Sequence, residues 1–91
     1  MTIATGEIEY ITIRVAMQGY NWREQTRYRL KMTAVMGKLK NSHSVRLGVP
    51  NNLLLFLFNE KRINDDDTPT SLKMVHDDLI EVYQEQTAGQ Y

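Results

Sequence analysis

The hydrophobic period of this chain changes twice, and few folds accommodate the order in which it does so. Tyr10-Ile11-Thr12-Ile13-Arg14-Val15 alternates strictly, with Ile11, Ile13 and Val15 on one side and Tyr10, Thr12 and Arg14 on the other. That is the pattern of a half-buried strand. Gly19 and Asn21 then break it, and from Thr26 to Met32 alternation returns: Tyr28, Leu30 and Met32 against Arg27, Arg29 and Lys31. Two alternating runs joined by one loop read as a β-hairpin. The period then lengthens. Met36, Leu39, His43 and Leu47 form the apolar stripe of an amphipathic helix. Thr33 is its expected N-cap, Gly48 suits the left-handed position after its end, and Pro50 forbids continuation. Leu53 to Phe58 is too short a run for a helix and reads as a strand near a sheet centre, turned by Asn59-Glu60. Asp65-Asp66-Asp67-Thr68-Pro69 is a turn-rich loop in which Thr68 is placed to cap a short helical turn begun by Pro69. Leu79 to Tyr83 is the last strand. Hairpin, helix and two further strands make an α+β chain of the ββαββ order, the β-grasp arrangement, with one helix packed across a mixed sheet. On periodicity alone, ferredoxin-like halves and small α+β barrels stay open.

Length and composition narrow the function. Ninety-one residues make one domain, with little room for a deep cleft. The expected organisation is a flexible segment over 1–9, a folded domain over 10–84 and a flexible tail over 85–91. There is no cysteine, which excludes disulfides, thiolate metal sites and cysteine nucleophiles. The longest apolar run is far short of a membrane span, and residues 1–9 lack the features of a signal peptide. Net charge is zero but segregated: residues 1–46 carry a balance of +5 and residues 47–91 a balance of −5. Such asymmetry suits two docking faces of opposite sign, or simply local solubility. A chain that is not basic overall is not expected to bind nucleic acid directly.

The residues offer nothing for an enzyme. Ser42, Ser44 and Ser71 lie outside any nucleophile elbow. His43 falls on the helix's apolar stripe, where a core role is expected, and His76 in a surface loop. Three successive aspartates lack the alternating spacing, glycine and distal glutamate of a calcium loop. No metal and no cofactor are expected. The better candidate is an edge. In a β-grasp sheet the second strand, Thr26 to Met32, lies at one side and offers unpaired N–H and C=O groups. Arg27, Arg29, Lys31, Lys38 and Arg46 would ring that edge with positive charge, over an apolar floor of Tyr28, Leu30 and Leu39. From the residues alone, cations at a strand edge read first as protection against aggregation.

At the C-terminal half the pattern becomes specific. Leu54-Leu55-Phe56-Leu57-Phe58, Arg62-Ile63-Asn64-Asp65-Asp66-Asp67-Thr68-Pro69, Leu72-Lys73-Met74 and Asp78 through Thr87 closely resemble SUMO, the small ubiquitin-like modifier. Tyr10 to Val15, Leu30-Lys31-Met32-Thr33, Lys38-Leu39-Lys40 through Arg46 and Gly48-Val49-Pro50 resemble its first strands, helix and helix exit. The resemblance covers about residues 10–89, and Glu81 to Thr87 is its most specific part. It implies a β-grasp modifier joined through a C-terminal glycine to target lysines, found in nucleus and cytoplasm and expected to be monomeric. It implies SUMO-activating and SUMO-conjugating enzymes, a SUMO protease and proteins with SUMO-interacting motifs as partners. It turns the basic edge into a peptide groove made by Arg27, Tyr28, Arg29, Leu30, Lys31, Lys38, Leu39, Ser42 and Arg46, and makes Gly89, with Ala88 and Thr87 before it, the processing and conjugation site.

Several features depart from the family. Its mature form ends in Gly-Gly, whereas Thr87 is followed here by Ala88-Gly89. The Gln18–Gln25 loop is longer and carries Tyr20 and Trp22; the turn glycine after the central strand is Glu60; the acidic cluster before the last strand is thinned to Val75-His76-Asp77-Asp78. Leu55 stands where the family usually has Arg, so Leu55, Leu57 and Tyr83 make either an interaction patch or a surface covered by the C-terminal segment. The alternative function is a non-conjugated or engineered SUMO-like binding module.

Overall fold

The computed structural model describes residues 9–18 and 25–85. Five strands form one sheet: β1 (Tyr10–Met17), β2 (Gln25–Lys31), β3 (Leu54–Phe58), β4 (Lys61–Arg62) and β5 (Leu79–Gln84), in the order β2-β1-β5-β3-β4. β1 pairs antiparallel with β2 and parallel with β5, and β3 pairs antiparallel with β5 and β4, so the sheet is mixed. Among the described residues one α-helix, α1 (Met36–Leu47), covers one face. Alternation decides which residues it covers. Ile11, Ile13 and Val15 from β1, Leu54 and Phe56 from β3, and Ile80 and Val82 from β5 are buried together with Met36 and Leu39 of α1. Ile63, Met74 and Pro69 close the core beneath the long loop between β4 and β5.

The helix ends differ from each other in how they are satisfied. At the C-terminus Gly48 takes the left-handed conformation (φ 71°), and its N–H donates to carbonyls of the last turn. Only glycine does this without a Cβ penalty. At the N-terminus the expected cap is corrected. Val35, not Thr33, is the N-cap, and no side chain caps the helix. Instead the acidic loop does so with its backbone: Met36 N–H donates to the Asp67 carbonyl at 2.7 Å and Gly37 N–H to the Asp65 carbonyl at 2.8 Å. These carbonyls satisfy donors that every helix start leaves free. Lys40 Nζ fixes the same loop, donating to the Ile63 carbonyl at 3.0 Å and pairing with Asp65 at 2.9 Å. The three aspartates are thus a helix-capping turn.

Other differences are local. Leu47, expected on the buried stripe, is exposed, and Ser44 is buried instead. Leu53 belongs to a short 3-10 turn over Asn51–Leu53. The two-residue strand β4 follows a tight turn in which Asn59 and Glu60 both have positive φ, 54° and 67°. A right-twisted hairpin favours such a turn, and glycine fits it best. Thr68 caps the following turn as expected. Its N–H donates to Ser71 Oγ and Ser71 N–H to Thr68 Oγ1, both at 2.9 Å.

Candidate functional site: the groove between β2 and the helix

β2 is an edge strand, and the phase of its hydrogen bonds follows from one contact. Met32 N–H donates to the Glu9 carbonyl at 3.0 Å. In antiparallel pairing the bonded pairs alternate, so with Ile11 opposite Leu30 and Ile13 opposite Tyr28, the odd residues of β1 hold the even residues of β2. The backbone of Arg27, Arg29 and Lys31 therefore points away from the sheet. The Lys31 carbonyl is taken by Ala34 N–H at 3.0 Å. This leaves N–H groups of Arg27, Arg29 and Lys31 and carbonyls of Arg27 and Arg29 for an added strand.

Beside this edge lies a groove of about 180 Å³ lined by Tyr28, Arg29, Leu30, Ala34, Val35, Lys38, Leu39 and Ser42. Six of these were predicted from the sequence. Ala34 and Val35 were not: they lie between the helix stripe and the strand pattern, and only the turn that brings the chain from β2 into α1 makes them a wall. Leu39 is the floor, 5% exposed, and belongs equally to the core. Tyr28 and Leu30 are half-buried against that core. Lys38 and Ser42 supply the helix side and are one turn apart.

The expected ring of cations is only partly assembled. The side chains of Arg27, Arg29 and Lys31 are exposed while Tyr28 and Leu30 turn to the helix, so the three cations line the opposite side of β2. Arg27 pairs there with Asp77 at 3.3 Å, and the Arg29 guanidinium lies 4.3 Å from the centre of the Tyr10 ring. Alternation is the reason: one strand cannot place consecutive side chains on one face. An added strand would follow the same rule, with every second residue over the apolar floor and the others beside Arg27, Arg29 and Lys31. Arg46, in the last turn of α1, is exposed.

Beneath the groove Tyr28 and His43 meet. The Tyr28 hydroxyl lies 2.8 Å from His43 Nδ1, with the rings edge to face. Burial raises the Tyr28 pKa, partly offset by the Arg46 charge. Burial lowers the His43 pKa, and Arg46 adds to that shift. The sequence showed His43 as a core residue; it gave no sign of the tyrosine partner.

A larger, more open hollow of about 630 Å³ lies near the β3–β4 turn, lined by Arg14, Phe58, Asn59, Glu60, Asp77, Asp78, Leu79 and Glu81. It mixes charges of both signs and is lined by no residue of the edge strands β2 and β4, so the smaller groove is the better candidate for an added strand. Among the described residues, no cluster of three or more histidine, aspartate or glutamate side chains is arranged to hold a metal. Thr87, Ala88 and Gly89, and the loop residues Tyr20 and Trp22, lie outside the described residues.

Residues 11–84 match the family model described as Rad60-SLD, Ubiquitin-2 like Rad60 SUMO-like. The chain belongs to this SUMO-like family. A Small ubiquitin-related modifier of Caenorhabditis elegans is 52% identical over 81 residues, which span 89% of this chain and 86% of that relative. The fold is also that of a solved structure titled Caldiarchaeum Subterraneum Ubiquitin, with a TM-score of 0.79 at 12% identity, over 89% of this chain and 100% of that one. The ubiquitin-like β-grasp fold is thereby established, and so is the role: this SUMO-like chain is a protein modifier, not an enzyme. Its partners are, in kind, the conjugation enzymes and target proteins that a modifier requires.

Proposed function

We propose that this modifier is attached through Gly89 to target lysines and is read at the β2–α1 groove by extended peptides whose aliphatic residues are flanked by acidic ones, the SUMO-interacting motifs. The observation that carries the reading is the free backbone edge of Arg27, Arg29 and Lys31 running directly beside an apolar floor of Leu30 and Leu39, walled by Val35. Backbone pairing gives such a peptide its affinity, and alternate side-chain contacts give it specificity. The floor takes aliphatic residues; the outer row of Arg27, Arg29 and Lys31 takes the acidic residues between and around them. Its expected partners are SUMO-activating and SUMO-conjugating enzymes and a SUMO protease, acting in nucleus and cytoplasm.

One observation favours a second reading, a binding module that is never conjugated: Ala88 stands in place of the first glycine of the family's terminal pair. Extended backbone accepts alanine without strain. The penalty comes from a partner channel shaped around bare backbone, where overpacking by a methyl costs about 1–3 kcal/mol. That is roughly a ten- to hundred-fold slower reaction. The test is to incubate the chain ending at Gly89, and its Ala88→Gly variant, with SUMO-activating enzyme and ATP. A thioester that forms slowly with the native tail and faster with Ala88→Gly supports conjugation. No thioester with either favours the binding module. The groove is tested separately with an acidic-flanked aliphatic peptide: amide shifts are expected over Tyr28–Lys31 and Lys38–Arg46, and Leu30→Asp is expected to abolish binding. Shifts confined to the opposite sheet face would refute the groove.

A further inference from the structure

We propose that His43 is a positioning residue for the groove, holding the Tyr28 ring in place through Nδ1, and that proton uptake at His43 loosens the groove and releases the bound peptide. This rests on the groove being the peptide site. Tyr28 lines the groove on one side and touches His43 behind it, with the hydroxyl 2.8 Å from Nδ1 and ring centres 5.8 Å apart. His43 in turn sets its ring edge-on to Phe56, 6.1 Å away, at the bottom of the core. A column of three rings therefore runs from the groove surface to β3, and the histidine is its middle member.

That position suits only the neutral ring. His43 is 3% exposed, and its Nε2 meets no hydrogen-bond partner among the described residues. A neutral imidazole has one donor and one acceptor, so Tyr28 satisfies one nitrogen and one is orphaned. An imidazolium has two N–H donors and a charge. Tyr28 could then only accept, and a charged donor would remain buried without a partner, a far costlier state. The surroundings offer no relief. From β2 the neighbour is the Tyr28 hydroxyl; from β3 it is the Phe56 ring. On its own helix the charged groups are three cations: Lys38, Lys40, whose Nζ lies 5.8 Å from the Phe56 ring centre, and Arg46, whose field opposes a second cation. None of these is a carboxylate. The lowered pKa of His43, from burial first and Arg46 second, agrees with this geometry.

A protonated His43 must therefore reach water, and to do so the seam between α1 and β2 has to open. That withdraws the support under Tyr28. A peptide lying over Tyr28 holds the seam shut and so favours the neutral ring. Linkage is reciprocal: the factor by which peptide weakens proton binding is the factor by which the proton weakens peptide binding.

The experiment measures peptide affinity by fluorescence anisotropy between pH 7.5 and 5.0 with the full chain, using an acidic-flanked aliphatic peptide. The peptide carboxylates, with pKa near 4, stay largely ionised over this range. The dissociation constant is expected to be flat at the upper end. It should rise in acid, by at most tenfold per pH unit, since at most one proton is released on binding. His43→Phe should flatten this rise, and His76→Gln, at the only other histidine, should leave it intact. In the wild-type chain the imidazole C–H resonances of His43 should titrate at lower pH when peptide is saturating. An equal acid slope in wild type and His43→Phe, or an unmoved His43 midpoint, overturns the coupling while leaving the groove in place. Absence of binding even at pH 7.5 overturns the groove reading itself. If His43→Phe does not fold, the wild-type resonance titration decides alone.

Discussion

Leu39→Ala is the sharpest test of how one helix holds this sheet. Leu39 is 5% exposed and packs in the same cluster as Ile13, Phe56 and Val82, all 1% exposed or less. The substitution removes three heavy atoms from a site whose neighbours are strands locked by pairing, so collapse into the void is limited. Such changes cost about 2–5 kcal/mol. A domain of this size has roughly 5–14 kcal/mol in all. The helix propensity of alanine offsets only a few tenths of a kcal/mol. Val45, in the same helix but 75% exposed, is the internal control: Val45→Ala should change stability by no more than about 0.5 kcal/mol. Urea denaturation followed by far-UV circular dichroism gives both numbers under one set of conditions. At roughly 4–8 °C per kcal/mol, the melting temperature of Leu39→Ala should fall by at least about 8 °C. If the two variants lie within about 0.5 kcal/mol of each other, the helix does not pack through Leu39 and the core assignment fails. Because Leu39 also floors the groove, a folded Leu39→Ala chain should bind the aliphatic peptide more weakly.

Two further outcomes follow from backbone and charge. Glu60, at φ 67° in an exposed turn, pays a left-handed penalty that glycine escapes; Glu60→Gly should stabilise the domain by about 0.5–1 kcal/mol in urea melts, and a loss of stability would contradict the turn geometry. The His43 pKa is lower in the folded chain than its ordinary value, so the unfolded chain binds this proton more readily. Its contribution is fully present above the ordinary histidine pKa of about 6.5 and is lost as pH falls toward the folded value. The urea midpoint of the wild-type chain should therefore drop between pH 7.5 and 5 by more than that of His43→Phe; equal drops would place the loss elsewhere.

The sequence by itself determined what depends on near neighbours. Alternation in Tyr10–Val15 and Thr26–Met32 assigned each side chain to a face, because a pleated strand has no other choice. The spacing of Met36, Leu39 and His43 marked the buried stripe of the helix, and Gly48-Val49-Pro50 marked its end, because left-handed backbone and a missing N–H are properties of single residues. The matched family then made the ubiquitin-like order of these elements specific. The tertiary structure decided what depends on residues far apart in the chain. Local capping chemistry favours Thr33 as the helix start, yet the free donors are satisfied by carbonyls of Asp65 and Asp67, some thirty residues away. The groove was legible as a set of residue types, and alternation already parted its floor from its outer row of cations; which row the helix meets was decided by packing. Ala34 and Val35 became its wall through the path of one turn. The Tyr28–His43 contact had no signal at all, since fifteen residues separate them and neither pattern names the other. Periodicity records which side of an element is buried. What that side meets is set by packing between elements, and there the hydroxyl found its imidazole.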